Sequence, residues 1–160
     1  MGGLDILSQV PPHILEVIRA HQREAPVRVG ALARALGLEV RNADLQMGIS
    51  GQLTERDGKW VIRVNRHENK KRQRFTVAHE IAHFILHRDQ IDSELTDDTF
   101  YRSGLSERKE VEANKLAAEI LMPWALISQV TAEEGKTTAE LADELRVSEV
   151  ALKIRLGLPT

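Results

Sequence analysis

Along this chain apolar residues recur at helical spacing in several stretches and alternate in one. Residues 15–24 carry the first helical pattern, entered through Pro11 and Pro12 and stopped by Pro26. Residues 29–38 (VGALARALGL) fit a short amphipathic helix with Gly37 placed for a C-terminal cap. Two strands follow, at 49–54 and 59–65, around Arg56-Asp57-Gly58, because Asp-Gly tolerates the positive φ of a hairpin turn. In the second of these, Trp60, Ile62 and Val64 form one apolar face. Residues 66–74 read as a polar, basic connector and 76–87 as a strong helix. Residues 89–106 read as a surface loop, 107–122 as a second strong helix broken at Pro123, and 124–130 as a short one. Residues 137–160 hold two short helical patterns that meet near Arg146-Val147-Ser148, with Ser148 capping the second. Helices, a hairpin, then helices predict an α+β fold. The expected organisation is an N-terminal helical segment (1–25), a core domain (26–130) and a small helix-turn-helix-like C-terminal subdomain (131–160).

Composition removes several function classes. The chain has no cysteine, which excludes disulfide frameworks, thiolate metal sites and cysteine nucleophiles. A net charge of −2 gives no global field favouring nucleic acid or an anionic membrane. The longest uncharged run, 120–132, contains Pro123 and is shorter than the roughly 20 apolar residues a bilayer span needs. The first residues lack a basic start and a continuous apolar run, so no signal peptide is expected and the expected location is cytoplasmic.

Against that background one segment carries chemistry. RFTVAHEIAHFILH contains His79-Glu80-Ile81-Ala82-His83, the H-E-x-x-H pattern. Positions four apart share a helix face, so His79 and His83 can bind one Zn²⁺, and Glu80 can act as general base on a water held there. The surrounding Val77, Ala78, Ile81, Ala82 and Phe84 predict burial, and buried histidines and glutamates need partners. Zinc is the default for such imidazole and carboxylate donors, which also suit manganese or iron.

A catalytic zinc site takes three protein ligands and keeps one position open. His87 is an unsuitable third ligand, because two helical turns separate it from His79 by about 12 Å. It is expected at the helix end, favoured by the dipole. The second helix, EVEANKLAAEILMP, is the better source. Glu110 and Asn114 share a face with Ala113, Ala117 and Leu121, and the small residues allow close packing. Glu112 points about 200° away, so only one of the two glutamates faces the metal, and Glu110 is preferred. Asn114 is expected to hydrogen-bond a ligating histidine. Glu119 is expected on the solvated face.

RFTVAHEIAHFILH together with EVEANKLAAEILMP resembles the ImmA/IrrE metallopeptidases, and residues 29–40 and the hairpin, with a glycine near its start and Asn65 at its end, are also similar. The resemblance implies a zincin-like fold and a gluzincin-like site with His79 and His83 as ligands, Glu80 as base and a glutamate of the second helix as third ligand. It further implies an endopeptidase that cleaves a helix-turn-helix transcriptional repressor and relieves repression, often under stress. Within 160 residues no separate sensory domain is expected. An extended substrate is expected to add to an exposed hairpin edge at 59–65. Tyr101, the only tyrosine, is a candidate for oxyanion contact but is expected to serve packing.

Two features point elsewhere. The basic run 66–74 lacks interleaved aromatics and is read as a solvated turn, not a base-stacking surface. The C-terminal pair, with Ala142, Leu145, Val147, Val150 and Leu156 as its expected core, carries Glu140, Asp143, Glu144 and Glu149 where a DNA reader presents cations. It is read as a packing or protein-docking unit. The competing function is a non-proteolytic module that sequesters a repressor or binds DNA. The intact H-E-x-x-H favours the enzyme, since a pure binder has no need of Glu80.

Overall fold

The structure, a computed structural model, describes residues 5–160 and has an α+β fold. A 3₁₀ turn at Ile6–Gln9, capped by the Asp5 side chain, leads into α1 (Pro12–Ala20) and α2 (Val29–Ala35). Helix α1 starts at Pro12 and ends before the predicted stretch does. Proline is favoured in the first helical turn, where its missing N–H is no loss. Residues 1–4 of the expected N-terminal segment lie outside the described residues.

Strands β1 (Leu38–Ala43), β2 (Ile49–Arg56), β3 (Lys59–Asn65) and β4 (Glu94–Asp98) form one sheet in the order β1-β3-β2-β4. Strand β1 runs parallel to β3, and the remaining pairs are antiparallel. The hairpin turn at Asp57-Gly58 has positive φ at both residues, as Asp-Gly favours. Two strands were not predicted. β1 (LEVRNA) is half polar and follows a helix directly, and β4 lies inside the stretch read as a loop. The expected free edge at 59–65 is corrected: β3 is interior, its main chain bonded on both sides, and β1 and β4 are the edges.

Helix α3 (Lys70–His87) crosses the sheet over β2 and β3, with α4 (Glu107–Leu121) packed along it. Ala113 and Ala117 of α4 are completely buried, so small side chains bring α4 close to the histidine-bearing face. The basic connector is a turn over residues 66–69, as expected, and then the first turns of α3, started by the Asn69 side chain accepting from Arg72 N–H. Three of its cations are structural. Arg72 donates to the Thr99 carbonyl, Arg74 to the Arg146 carbonyl at 3.1 Å, and Lys71 pairs with Asp143.

Helices α5 (Trp124–Thr131), α6 (Thr138–Leu145) and α7 (Glu149–Leu156) complete the chain. A capping box between Thr137 and Glu140 opens α6, and Ser148 caps α7. Ala142, Leu145, Val147 and Leu152 are buried, but Val150 is exposed, contrary to its expected core position, because the face of α7 that carries Ile154 turns outward. Glu119 is also not solvated: it holds Arg155 at 2.8 Å, and both side chains are largely covered. No helix among the described residues is long and apolar enough to cross a membrane.

Candidate metal centre

The middle of α3 is buried on all sides, and His79, Glu80 and His83 are completely inaccessible. Their helix phase turns the two imidazoles toward Glu110 of α4 and Asp97 of β4. Glu110 Oε1 lies 3.2 Å from His79 Nε2 and 3.0 Å from His83 Nε2. Asp97 Oδ1 lies 3.5 Å from His79 Nε2, and Oδ2 lies 3.9 Å from His83 Nε2. One donor atom from each of His79, His83, Asp97 and Glu110 falls within 4.8 Å of the others, a spacing that fits a single metal ion.

The opposite ring nitrogens are held by polar partners. His79 Nδ1 donates to Asn114 Oδ1 at 2.9 Å, which leaves Nε2 turned inward. His83 Nδ1 lies 2.9 Å from His87 Nδ1, and His87 Nε2 donates to Glu112 Oε1 at 2.9 Å. His87 is the last residue of α3, as expected from the sequence, but it is not a solvated helix end. His87 is buried between His83 and Glu112, and Glu112 faces it rather than the centre. Glu112 fixes the direction of this chain. It accepts the His87 Nε2 proton, so a neutral His87 offers a bare Nδ1 that accepts from His83 Nδ1–H. That tautomer frees the His83 Nε2 lone pair for a metal.

The charge balance also asks for a cation. Glu80, Asp97 and Glu110 bring three carboxylates to a buried site, and neither oxygen of Glu80 or Asp97 has a hydrogen-bond partner among the described residues. Burial, the charge of Asp97 and that of Glu110 push the Glu80 carboxyl well above its ordinary range. Burial alone pulls His79 down, but Asp97 and Glu110 outweigh it and raise the imidazole to about 9. Burial works against ionised Glu110, yet hydrogen bonds from His79, His83 and Ser103 hold it well below the usual carboxylate range. Without a metal, protonated imidazole supplies the positive charge that the carboxylates need. A divalent ion supplies it directly, and the partnerless oxygens, two inward Nε2 atoms and Glu110 fit that ion.

The base position depends on one glycine. A Cβ on Gly51 of β2 would lie 2.5 Å from Thr76 Cγ2, 3.2 Å from the Arg63 carbonyl and 3.3 Å from Glu80 Oε2. Tyr101, with φ of 56°, packs its ring 4.8 Å from His79 and 5.1 Å from Phe75. Its hydroxyl is 3.0 Å from Thr76 Oγ1, and the Arg72 guanidinium covers the ring at 4.9 Å. Tyr101 and Asn114 also line a cleft of about 920 Å³ that continues past Met122 to Val150 and Ile154 of α7.

Sequence reasoning placed His79, Glu80, His83, Glu110 and Asn114, and the fold brings all of them together. It missed Asp97, which sits in the stretch taken for a loop. The available signal was Leu95 and Asp97 two residues apart. Both are buried, as alternate residues on one strand face are.

Comparison with known proteins gives a consistent picture. Residues 33–157 match the family model of the IrrE N-terminal-like domain, peptidase family M78. The radiation response metalloprotease IrrE of Deinococcus deserti is 33% identical over 154 residues, covering 88% of this chain and 53% of that protein. Its namesake from Deinococcus radiodurans is 39% identical over 93 residues, covering 57% of this chain and 28% of that one. The chain thus spans about half the length, or less, of the curated relatives it matches. Among solved structures, a Mycobacterium tuberculosis transcriptional regulator shares the fold with a TM-score of 0.61 and 16% identity. That alignment covers 96% of this chain and 49% of the other.

Proposed function

The chain belongs to the IrrE N-terminal-like domain family of metallopeptidases, and on that premise we propose that it is a zinc-dependent endopeptidase. In this reading His79, His83 and Glu110 are the metal ligands and Glu80 is the general base. The observation that carries it is the buried convergence of two oriented imidazoles with Glu110 and with Asp97, whose oxygens have no hydrogen-bond partner among the described residues. When bound, a divalent zinc ion acidifies a water and polarises a carbonyl. Glu80 takes the proton of the attacking water and delivers it to the leaving amine, as its place one residue after His79 allows. Asn114 and the His87–Glu112 pair hold the imidazoles in the ligating tautomer. Tyr101 packs its ring beside His79 while its hydroxyl meets Thr76 Oγ1, which suits the packing role expected of it.

The proposed substrate is a protein, specifically a helix-turn-helix repressor. That identity rests on the ImmA/IrrE resemblance, as do the roles in transcription and stress and the cytoplasmic setting. The cleft from Tyr101 and Asn114 to the apolar face of α7 offers room for a polypeptide. The outer edge of β4, next to the centre, is the free edge to which an extended segment can add. We read α6 and α7 as a helix-turn-helix-like pair that walls this cleft rather than reading DNA. Their exposed acidic groups and the engagement of Arg155 by Glu119 oppose phosphate contact.

The test is incubation of zinc-loaded protein with a panel of helix-turn-helix repressors, with fragments identified by mass spectrometry. Site-specific cleavage lost in Glu80→Gln, at unchanged metal content, is expected. Turnover by that variant would sink the assignment of the base. Stable capture of an intact repressor by wild type and variant alike would favour a sequestering module.

A further inference from the structure

A peptidase centre of this kind is complete with two histidines and Glu110, so Asp97 is one carboxylate too many. Asp97 is completely buried on edge strand β4, and both of its oxygens lack a hydrogen-bond partner. An isolated carboxylate in such a place is strongly unfavourable unless a cation compensates it. Among the described residues no Lys or Arg pairs with it; the two nearest in sequence, Arg88 and Arg102, are engaged with Phe84 and with Asp98. Its neighbours are instead the inward Nε2 atoms of His79 and His83, and the Glu80 carboxyl.

The distances have a definite geometry. Ligands about 2.0–2.1 Å from a tetrahedral zinc stand about 3.3 Å from one another. Glu110 stands 3.2 and 3.0 Å from the two imidazole nitrogens, and Asp97 stands 3.5 and 3.9 Å from the same two. Both carboxylates therefore occupy ligand-like corners around the same pair of nitrogens, with Asp97 slightly farther out. Four protein donors close a tetrahedral site, whereas a hydrolytic one leaves the fourth corner to water.

We propose that Asp97 is a fourth, displaceable protein ligand that fills the corner where water must enter, so that the resting centre is closed. This rests on the peptidase reading above and adds a control point to it. The ligand sits on a five-residue strand paired on one side only, the part of the sheet most easily shifted by a bound polypeptide. In this scheme Asp97 withdraws as substrate engages, and the vacated corner admits the attacking water beside Glu80.

The experiment uses the cobalt-substituted full chain, read by its visible absorption spectrum, with azide as the probe for an open corner. Cobalt and zinc affinities are measured in parallel by chelator competition for wild type, Asp97→Asn and Asp97→Ala. A closed centre predicts a tetrahedral wild-type spectrum that azide leaves unchanged. The Asp97 variants are expected to bind metal about tenfold or more weakly and to gain an azide-dependent spectral change. An azide response in wild type, or metal affinity unaltered in folded Asp97→Asn, would overturn the proposal and leave the peptidase reading intact. Wild-type protein that takes no metal would overturn both. The azide test on wild type needs no variant to fold.

Discussion

Replacing Gly51 with alanine tests how tightly the sheet holds the proposed base. The added Cβ would meet Thr76 Cγ2 at 2.5 Å, about 1 Å inside ordinary carbon–carbon contact. Thr76 is completely buried and lies one helical turn before Glu80, and the Arg63 carbonyl at 3.2 Å blocks retreat toward the neighbouring strand. The strain must move α3 away from β2, carrying Glu80 with it. Overpacking of this kind costs about 2 kcal/mol, and a shift approaching 1 Å at a catalytic group costs about a hundredfold in rate. Thr76→Ser removes the offending methyl and keeps the hydroxyl near Tyr101. Alone it should cost about 1 kcal/mol of burial. In the Gly51→Ala background it should recover stability, with a coupling energy on the order of 1–2 kcal/mol. Urea unfolding of the four proteins of this cycle gives the answer. Additive losses would refute the steric account, as would a Gly51→Ala protein as stable as wild type.

Further expectations follow from the same geometry. Glu110→Ala should weaken zinc binding far more than Glu112→Ala, which should keep the stoichiometry and cost about tenfold by freeing His87 and with it His83; equal losses in chelator competition would contradict these roles. In metal-free protein the His79 pKa lies at about 9, above its ordinary 6.5. Its stabilising contribution, at most on the order of 3 kcal/mol, is therefore complete below pH 6.5 and lost as pH rises through 9. The raised Glu80 acts in the same direction. The metal-free unfolding midpoint should fall between pH 6.5 and 9, and zinc loading at pH 8 should release protons in calorimetry across buffers; a rising midpoint would contradict this. Arg72→Ala should release the 99–101 backbone from α3 and raise its hydrogen exchange, with little change in the core strands.

Much of the site was legible because it depends on helical periodicity. His79, Glu80 and His83 are locked together by one helix, and Glu110 and Asn114 by another, so their mutual placement follows from spacing alone. The apolar surroundings of the first motif and the alanines of the second told which faces would meet. The α+β class, the Asp-Gly hairpin and the cap at Ser148 were likewise local in origin. Strands β1 and β4 were not legible. LEVRNA is half polar and ELTDD mostly polar, and they become strands only because β3 and β2 offer main-chain partners from elsewhere in the chain.

The chain's own residue pattern thus determined the chemical inventory: a histidine pair with the glutamate proposed as base, a carboxylate helix beside it, and no thiol to compete. Tertiary structure decided what no spacing encodes. It put Asp97 beside the same two imidazoles as Glu110, made β4 rather than β3 the free edge, and turned His87 into a link between His83 and Glu112. It also set Gly51 of β2 against Thr76 and Glu80, where a Cβ would not fit. The reason is physical. Periodicity fixes neighbours along one element, whereas contacts between elements far apart in sequence depend on strand order and helix crossing, which the whole core sets together.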